Sequence, residues 1–249
     1  MNYNWNWRIF WEVSPDAAGT YLDTLLSGLL WTIATSMSAW IMALLLGVIV
    51  GTLRTVPQRW LVALANAWIE LFRNIPLLVQ MFLWYFVVPE LLPTAAGDWI
   101  KGLPNSAFIT AVLCLGFFTS SRIAVQVAAG IGSLPRGQRL AAQALGLTTL
   151  QTYRHVLLPM AFRIIIPPLT SEFLNIIKNS AVALTIGLME LTARARSMQE
   201  FSFQVFEAFT AATLIYVALN VVVVLLMNRL ERNFAVPGYI SRSNPGGGH

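Results

Sequence analysis

Five long stretches of this chain, at approximately residues 25–50, 60–88, 106–131, 163–189 and 208–228, are dominated by apolar positions with few charges among them. A helix needs about 20 mainly apolar residues to cross the hydrocarbon core of a bilayer, so the pattern predicts an all-α integral membrane protein with five transmembrane helices. The first and last stretches are clean apolar runs. The middle three carry charges or prolines at membrane depth, including Arg73, Pro76, Arg122, Glu172 and Lys178. They are expected to be the working part.

The longest polar interruption, residues 134–159, has a pattern of its own. Ala141, Ala144, Leu145 and Thr148 fall at i, i+3, i+4 and i+7, one face of a short helix whose small side chains allow close approach by another surface. Gly146 is placed to end that helix, because glycine adopts the left-handed conformation of a helix terminus. Thr148 followed three residues later by Gln151 reads as a capping box that opens a second helix. Pro159 is expected to mark where the second helix bends or stops.

Composition supports the membrane reading: 57% of the 249 residues are hydrophobic and 11% charged, against about 25% charged in a soluble domain. The net charge is +5 and all but two of the 16 basic residues are arginines. They cluster at the ends of apolar stretches, which suggests orientation in a bilayer rather than nucleic acid binding. Arg54, Arg59, Arg136, Arg139, Arg154, Arg163, Arg229, Arg232 and Arg242 would share one side, against Arg8, Lys101, Arg194 and Arg196 on the other. The second side also holds most acids: Glu12, Asp16, Asp23, Glu90, Asp98, Glu190, Glu200 and Glu207. The positive-inside rule then predicts an external N-terminus, a cytoplasmic 134–159 loop and a cytoplasmic C-terminus. Trp5, Trp7, Phe10 and Trp11 make residues 1–19 an expected interfacial arm. Residues 20–230 form the membrane domain, and 231–249 an expected disordered tail.

Charge at depth is costly, at least about 2.5–3.5 kcal/mol for Arg on insertion scales, so such groups face a protein interior or a watery path. Glu70 and Arg73 stand at i, i+3 and are expected to pair locally. Pro76 follows at once and predicts a kink or break in the second span, because the residue before proline avoids helical geometry. Ser171, Glu172, Asn175, Lys178 and Asn179 form a polar stripe along the fourth span. Arg122 has two readings that the residues leave open: a carboxylate-binding group on a translocation path, or a partner for Glu172 that ties spans three and four together. Cys114 lies in an apolar run and is read as packing. His155 and His249 are the only histidines and no phosphate loop surrounds Lys101 or Lys178, so neither a metal centre, a catalytic site nor an ATP site can be assembled.

Ala141, Ala142, Ala144 and Gly146, followed by Val156, Leu157, Leu158 and Pro159, resemble the EAA loop of ABC importer permeases. Arg73-Asn74-Ile75-Pro76-Leu77-Leu78-Val79-Gln80 and Lys178-Asn179-Ser180-Ala181 are similar to stretches of its polar amino acid (HisMQ-like) subfamily. The chain departs from the loop pattern at Leu140, where the family often has Glu. The resemblance covers roughly residues 20–230 and implies the five-helix type I (MetI-like) fold, with 134–159 coupling to a cytoplasmic ATPase dimer. It also implies a second homologous permease subunit, in a heterodimer, and a periplasmic amino-acid-binding protein. ATP and Mg would be used by the partner ATPase, with no cofactor on this chain.

Many members that carry basic or neutral amino acids have Glu where this chain has Arg122, and the glutamate/aspartate members resemble it in having Arg. An arginine can hold a carboxylate through a two-pronged charge-assisted bond, whereas a glutamate repels it. Acidic amino acids are the expected substrates. An importer of glutamine or basic amino acids, and an ion-coupled secondary transporter or channel, stand as the alternatives.

Overall fold

The computed structural model describes residues 3–15 and 19–234. Asp16 and the chain from 235 onward, with Arg242, His249 and most of the expected 231–249 tail, lie outside the described residues.

The first span, α1 (Tyr21–Leu53), is opened by a capping box in which Thr20 N donates to Asp23 Oδ2 at 2.8 Å and Asp23 N donates to Thr20 Oγ1 at 3.3 Å. With 33 residues it is about 50 Å long, more than a bilayer core requires. It lies alongside α5 (Ser106–Gly132), the most extensive pairing in the molecule. The two run parallel: Trp31 meets Phe108, Gly47 meets Ser120 and Ile123, and Gly51 meets Ala124 and Val127. Small residues four apart allow this, as in membrane helix pairs generally. A methyl group on Gly51 would sit 2.6 Å from the Ala124 carbonyl oxygen.

Parallel neighbours require the chain to cross back between them. It does so in two pieces, α2 (Arg59–Asn74) and α3 (Leu77–Leu91), whose axes differ by 100° at Ile75-Pro76. The far end of α3 reaches the start of α5, where Tyr85, Pro89 and Glu90 share a cleft with Ser106 and Thr110. The bent pair therefore makes one net crossing. Its broken backbone is satisfied from within: Gln80 Nε2 donates to the carbonyls of Phe72 at 2.8 Å and Ile75 at 2.9 Å, as apolar surroundings demand of freed groups. A short helix, α4 (Thr94–Lys101), folds back on α3, with Lys101 Nζ 2.5 Å from Glu90 Oε1.

The polar segment forms α6 (Arg136–Ala144) and the start of α7 (Thr149–Ile186). Of the two outcomes expected at Pro159, a bend or a stop, the stop does not occur, and the helix runs on through it. Two residues before it, the helix closes a π turn at Tyr153–Leu157, and α3 does the same at Leu83–Val87, two residues before Pro89. Proline removes one donor and crowds the carbonyl four residues earlier. A locally widened turn absorbs that defect without ending the helix. The fourth span thus begins well before residue 163 and also carries Pro167 and Pro168 in its interior. Its last stretch, Ser180–Ile186, tightens to 3-10 geometry and ends at Gly187, φ +87°.

Between the last two spans lies α8 (Leu191–Ser202), and α9 (Val205–Phe234) completes the bundle. Glu190 caps α8, accepting from Thr192 N at 3.0 Å, Ala193 N at 2.8 Å and Tyr216 Oη at 2.8 Å. Thr32 Oγ1 receives Leu191 N at 3.1 Å, so α1, α8 and α9 meet at one fully buried carboxylate. Burial pushes the Glu190 carboxyl upward, opposed by the hydrogen bonds it accepts. Glu207, also fully buried, receives Asn6 N at 2.8 Å and the Tyr3 hydroxyl, pinning residues 3–11 across the end of α9. Trp5 and Trp7 stack on each other there, with ring centroids 5.6 Å apart, and stay half exposed.

Replacing Gly51 with valine is expected to drive α1 away from α5. Overpacking of this kind costs about 1–3 kcal/mol, and the thermal unfolding of the purified protein in detergent should fall accordingly, while Gly132→Ala, whose added Cβ meets open space, should leave it unchanged.

Candidate functional site

Arg122 sits 16 residues into α5, about 24 Å from its start and so deep in the span. Glu172 faces it from α7, which runs antiparallel: Gly130 of α5 packs on Ile165 and Ala161, while Arg122, two turns earlier, meets Glu172. Arg122 Nε donates to Glu172 Oε2 at 2.7 Å and Nη2 to Oε1 at 3.2 Å. The two-pronged geometry is the strong form of the interaction. Gln126, one helical turn beyond Arg122, adds Nε2 to Glu172 Oε1 at 3.0 Å. The Glu172 side chain is 7% exposed and that of Arg122 43%. A guanidinium has five N–H donors, and this one spends two on Glu172 while its outer face opens to a cleft.

That cleft, of about 180 Å³, is lined by Arg73, Arg122, Val125, Gln126 and Glu172. Arg73 arrives from the last turn of α2, just before the break at Ile75-Pro76. The expected local pair of Glu70 with Arg73 is not formed: no ion pair joins them, and both side chains are exposed. A helical i, i+3 pair contributes only about 0.2–0.5 kcal/mol, too little to hold Arg73 away from the cleft.

The rest of the expected polar stripe is not gathered here. Asn175 and Asn179 are half-buried and Lys178 is exposed, beyond the cleft along α7. Gln126 was missed by the sequence reading, although its place at i+4 from Arg122 put both on one face. The role of Gln80 in closing the break was likewise missed, because side-chain capping of a broken membrane helix has no local signature.

At the 134–159 segment, α6 ends in a full left-handed cap. Gly146 has φ +77°, its N–H reaches the Gln143 carbonyl at 2.9 Å, and Leu147 N reaches Ala142 O at 3.1 Å. Thr148 and Gln151 close a reciprocal capping box at 2.8 and 3.3 Å. Ala142 is buried, while Ala141, Ala144, Gly146 and Thr148 face outward with Leu140, Leu145 and Leu150 exposed beside them. Val156 and Leu158 are half-buried and Pro159 is exposed. Buried Tyr153, in the π turn, fixes this segment to the end of α1: its hydroxyl donates to Thr55 O at 2.7 Å and receives Thr55 Oγ1 at 3.2 Å. Among the described residues there is no group of histidines, cysteines and acids able to hold a metal ion.

Residues 43–236 match the family model described as "Binding-protein-dependent transport system inner membrane component". The glutamate/aspartate import permease protein GltJ of Escherichia coli K12 is 50% identical over 241 residues, 96% of this chain and 98% of its own length. The octopine transport system permease protein OccM of Rhizobium radiobacter is 31% identical over 69% of this chain and 70% of its own length. Among solved structures, an amino acid ABC transporter crystallised with histidines superposes with a TM-score of 0.71 at 29% identity, over 86% of this chain and 95% of the other. The MetNI methionine ABC transporter gives 0.73 at 21% identity, over 86% of this chain and 98% of the other, a likeness of fold. Five apolar crossings, a capped polar helix pair between the third and fourth, and a match over most of the length lead to one conclusion: the chain belongs to the inner-membrane permease components of binding-protein-dependent ABC transport systems.

Proposed function

We propose that this chain is the translocation subunit of an ATP-driven importer for the acidic amino acids glutamate and aspartate. The observation that carries the proposal is the cationic cleft at mid-helix, with Arg122 half open to it, in a chain half identical to a glutamate/aspartate import permease. A guanidinium in a low-dielectric cleft attracts a carboxylate strongly and repels a basic side chain. Permeases for glutamine or basic amino acids have no need of that charge.

In this reading the N-terminus is periplasmic, residues 134–159 lie in the cytoplasm, and residues 1–19 form an interfacial arm beside the 20–230 membrane domain. Ala141, Ala142, Ala144, Gly146, Val156, Leu158 and Pro159 form the surface that couples to a dimer of partner ATPases, which bind ATP and Mg. The chain itself needs no cofactor and performs no chemistry. A second, different permease subunit completes the path, and a periplasmic binding protein delivers the solute. Arg122, Glu172, Asn175, Lys178 and Asn179 line the path. The exposed leucines around the capped helix end support the coupling role, since an apolar surface beside polar helix ends suits a protein groove.

The testing measurement is uptake of labelled glutamate by cells with and without the gene, competed by aspartate, glutamine and arginine. An uptake component lost with the gene and blocked by aspartate, but not by arginine, is expected. Loss of glutamine or arginine uptake alone would refute the acidic substrate, and dependence on an ion gradient without ATP would refute the importer class. Gly146→Trp cannot adopt φ +77° without strain; normal membrane level with ATP hydrolysis uncoupled from uptake is expected. Arg122→Gln leaves a buried carboxylate without its partner. Because Arg122 is partly exposed, the stability loss should fall at or below the low end of the roughly 3–5 kcal/mol found for fully buried pairs. Adding Glu172→Gln should restore most of that stability without restoring glutamate uptake.

A further inference from the structure

A second cavity, of about 250 Å³, lies away from the Arg122 cleft, at the end of the second crossing and on the side opposite the 134–159 segment. Three elements wall it. The end of α3 supplies Tyr85, Phe86 and Glu90, α4 supplies Lys101, and the first turns of α5 supply Ser106 and Thr110. Here α4 is clamped on α3: a Cβ on Gly97 would sit 2.3 Å from the Pro89 carbonyl oxygen. Both signs of charge stand at the rim, with Lys101 Nζ 2.5 Å from Glu90 Oε1 and both side chains partly exposed. A ladder of outward apolar side chains leads to the cavity along α3. Leu78, Phe82 and Phe86 follow at intervals of four, with the Phe82 and Phe86 rings 5.9 Å apart. From Leu78 to Phe86 the ladder is about 12 Å long, most of the ~15 Å depth of one leaflet. Trp99, two residues before Lys101, is exposed as well, as suits an indole in a headgroup layer.

We infer that this cavity binds a zwitterionic phospholipid with a primary ammonium headgroup, its phosphate on Lys101, its ammonium on Glu90 and an acyl chain along Leu78, Phe82 and Phe86. Each protein charge keeps its present partner and gains a second. The four charges alternate in sign around a ring, and the headgroup adds no net charge. The hydroxyls of Tyr85, Ser106 and Thr110 can donate to phosphate and glycerol oxygens. An anionic headgroup without an ammonium meets the Glu90 carboxylate, and a trimethylammonium brings Glu90 no N–H donor, so the site selects headgroup chemistry. A free amino acid shares the ammonium and the anion but leaves the α3 ladder without a counterpart. A protein helix packed on the ladder would strip water from the Lys101–Glu90 pair at a cost, whereas a headgroup replaces that water with charges of its own. The inference is independent of which amino acid the chain carries.

The test offers the assembled permease–ATPase complex, delipidated in detergent, equal amounts of dioleoyl phosphatidylethanolamine, phosphatidylglycerol and phosphatidylcholine, and reads the retained lipid by native mass spectrometry. Wild type is expected to retain phosphatidylethanolamine over the other two. Lys101→Gln should lower that retention by about three- to fivefold, as for partly exposed charge contacts. Glu90→Gln should bring phosphatidylethanolamine down to the level of phosphatidylglycerol. Glu200→Gln, which breaks an exposed ion pair with Arg196 on α8, should change nothing. Benzoylphenylalanine placed at Phe86 should form its adduct with lipid on illumination. Equal retention of the three lipids by wild type would overturn the inference, as would a preference that survives in the Lys101→Gln, Glu90→Gln double variant at normal melting temperature. An adduct with a partner subunit at Phe86, or displacement of the lipid by excess glutamate, would overturn it as well.

Discussion

Nothing inside a bilayer replaces a missing partner, and the molecule is organised around that constraint. Its central expression is the carboxylate of Glu172, 7% exposed and bound by two nitrogens of Arg122 and one of Gln126. This contact ties α5 to α7 across fifty residues of sequence. Because α5 is also locked to α1 through Gly47 and Gly51, the pair fixes the register of three of the crossings at once. The cleft exists because the fourth wall, α2–α3, breaks beside it and brings Arg73 to the opening. A straight second span would present an unbroken apolar face there.

The same constraint explains how the breaks are tolerated. At Ile75-Pro76 two carbonyls are recovered by the single amide of Gln80. At Pro89 and Pro159 the helix widens by one π turn instead. Glu190 and Glu207 meet it differently. Each is fully buried, yet surrounded by donors from the backbone and from tyrosines, so each joins segments distant in sequence.

The crossings were legible because a 20-residue apolar run has few other fates, and the ends of α6 and α7 because glycine and a Thr-x-x-Gln pair act locally. What the sequence concealed was long-range. Glu190 and Glu207 read as loop acids, since their burial depends on Tyr3, Thr32 and Tyr216 from other elements. The helix α8 has no apolar run to announce it. At Pro159 a bend and a stop both stayed open, because proline's local cost is visible and the compensating π turn that carries the helix through is not. At the site, Arg122 and Glu172 were both marked by charge at depth, but Gln126, being neutral, carried no such signal.

Rigid and adaptable parts are segregated in a way that bears on transport. The α1–α5 pair is close-packed over its length through small residues and leaves little room for sliding. The bent α2–α3 unit and the proline-rich α7, by contrast, have interrupted hydrogen-bond ladders, which lowers the cost of changing their angles. Tyr153 connects the two kinds of element, standing in the π turn of α7 while bonded to Thr55 just beyond α1. The α6–α7 corner is thus joined to Thr55 at one point and, along α7, to the mid-length residue Glu172, which holds Arg122. Motion of α7 relative to α5 must strain or shear that two-pronged bond.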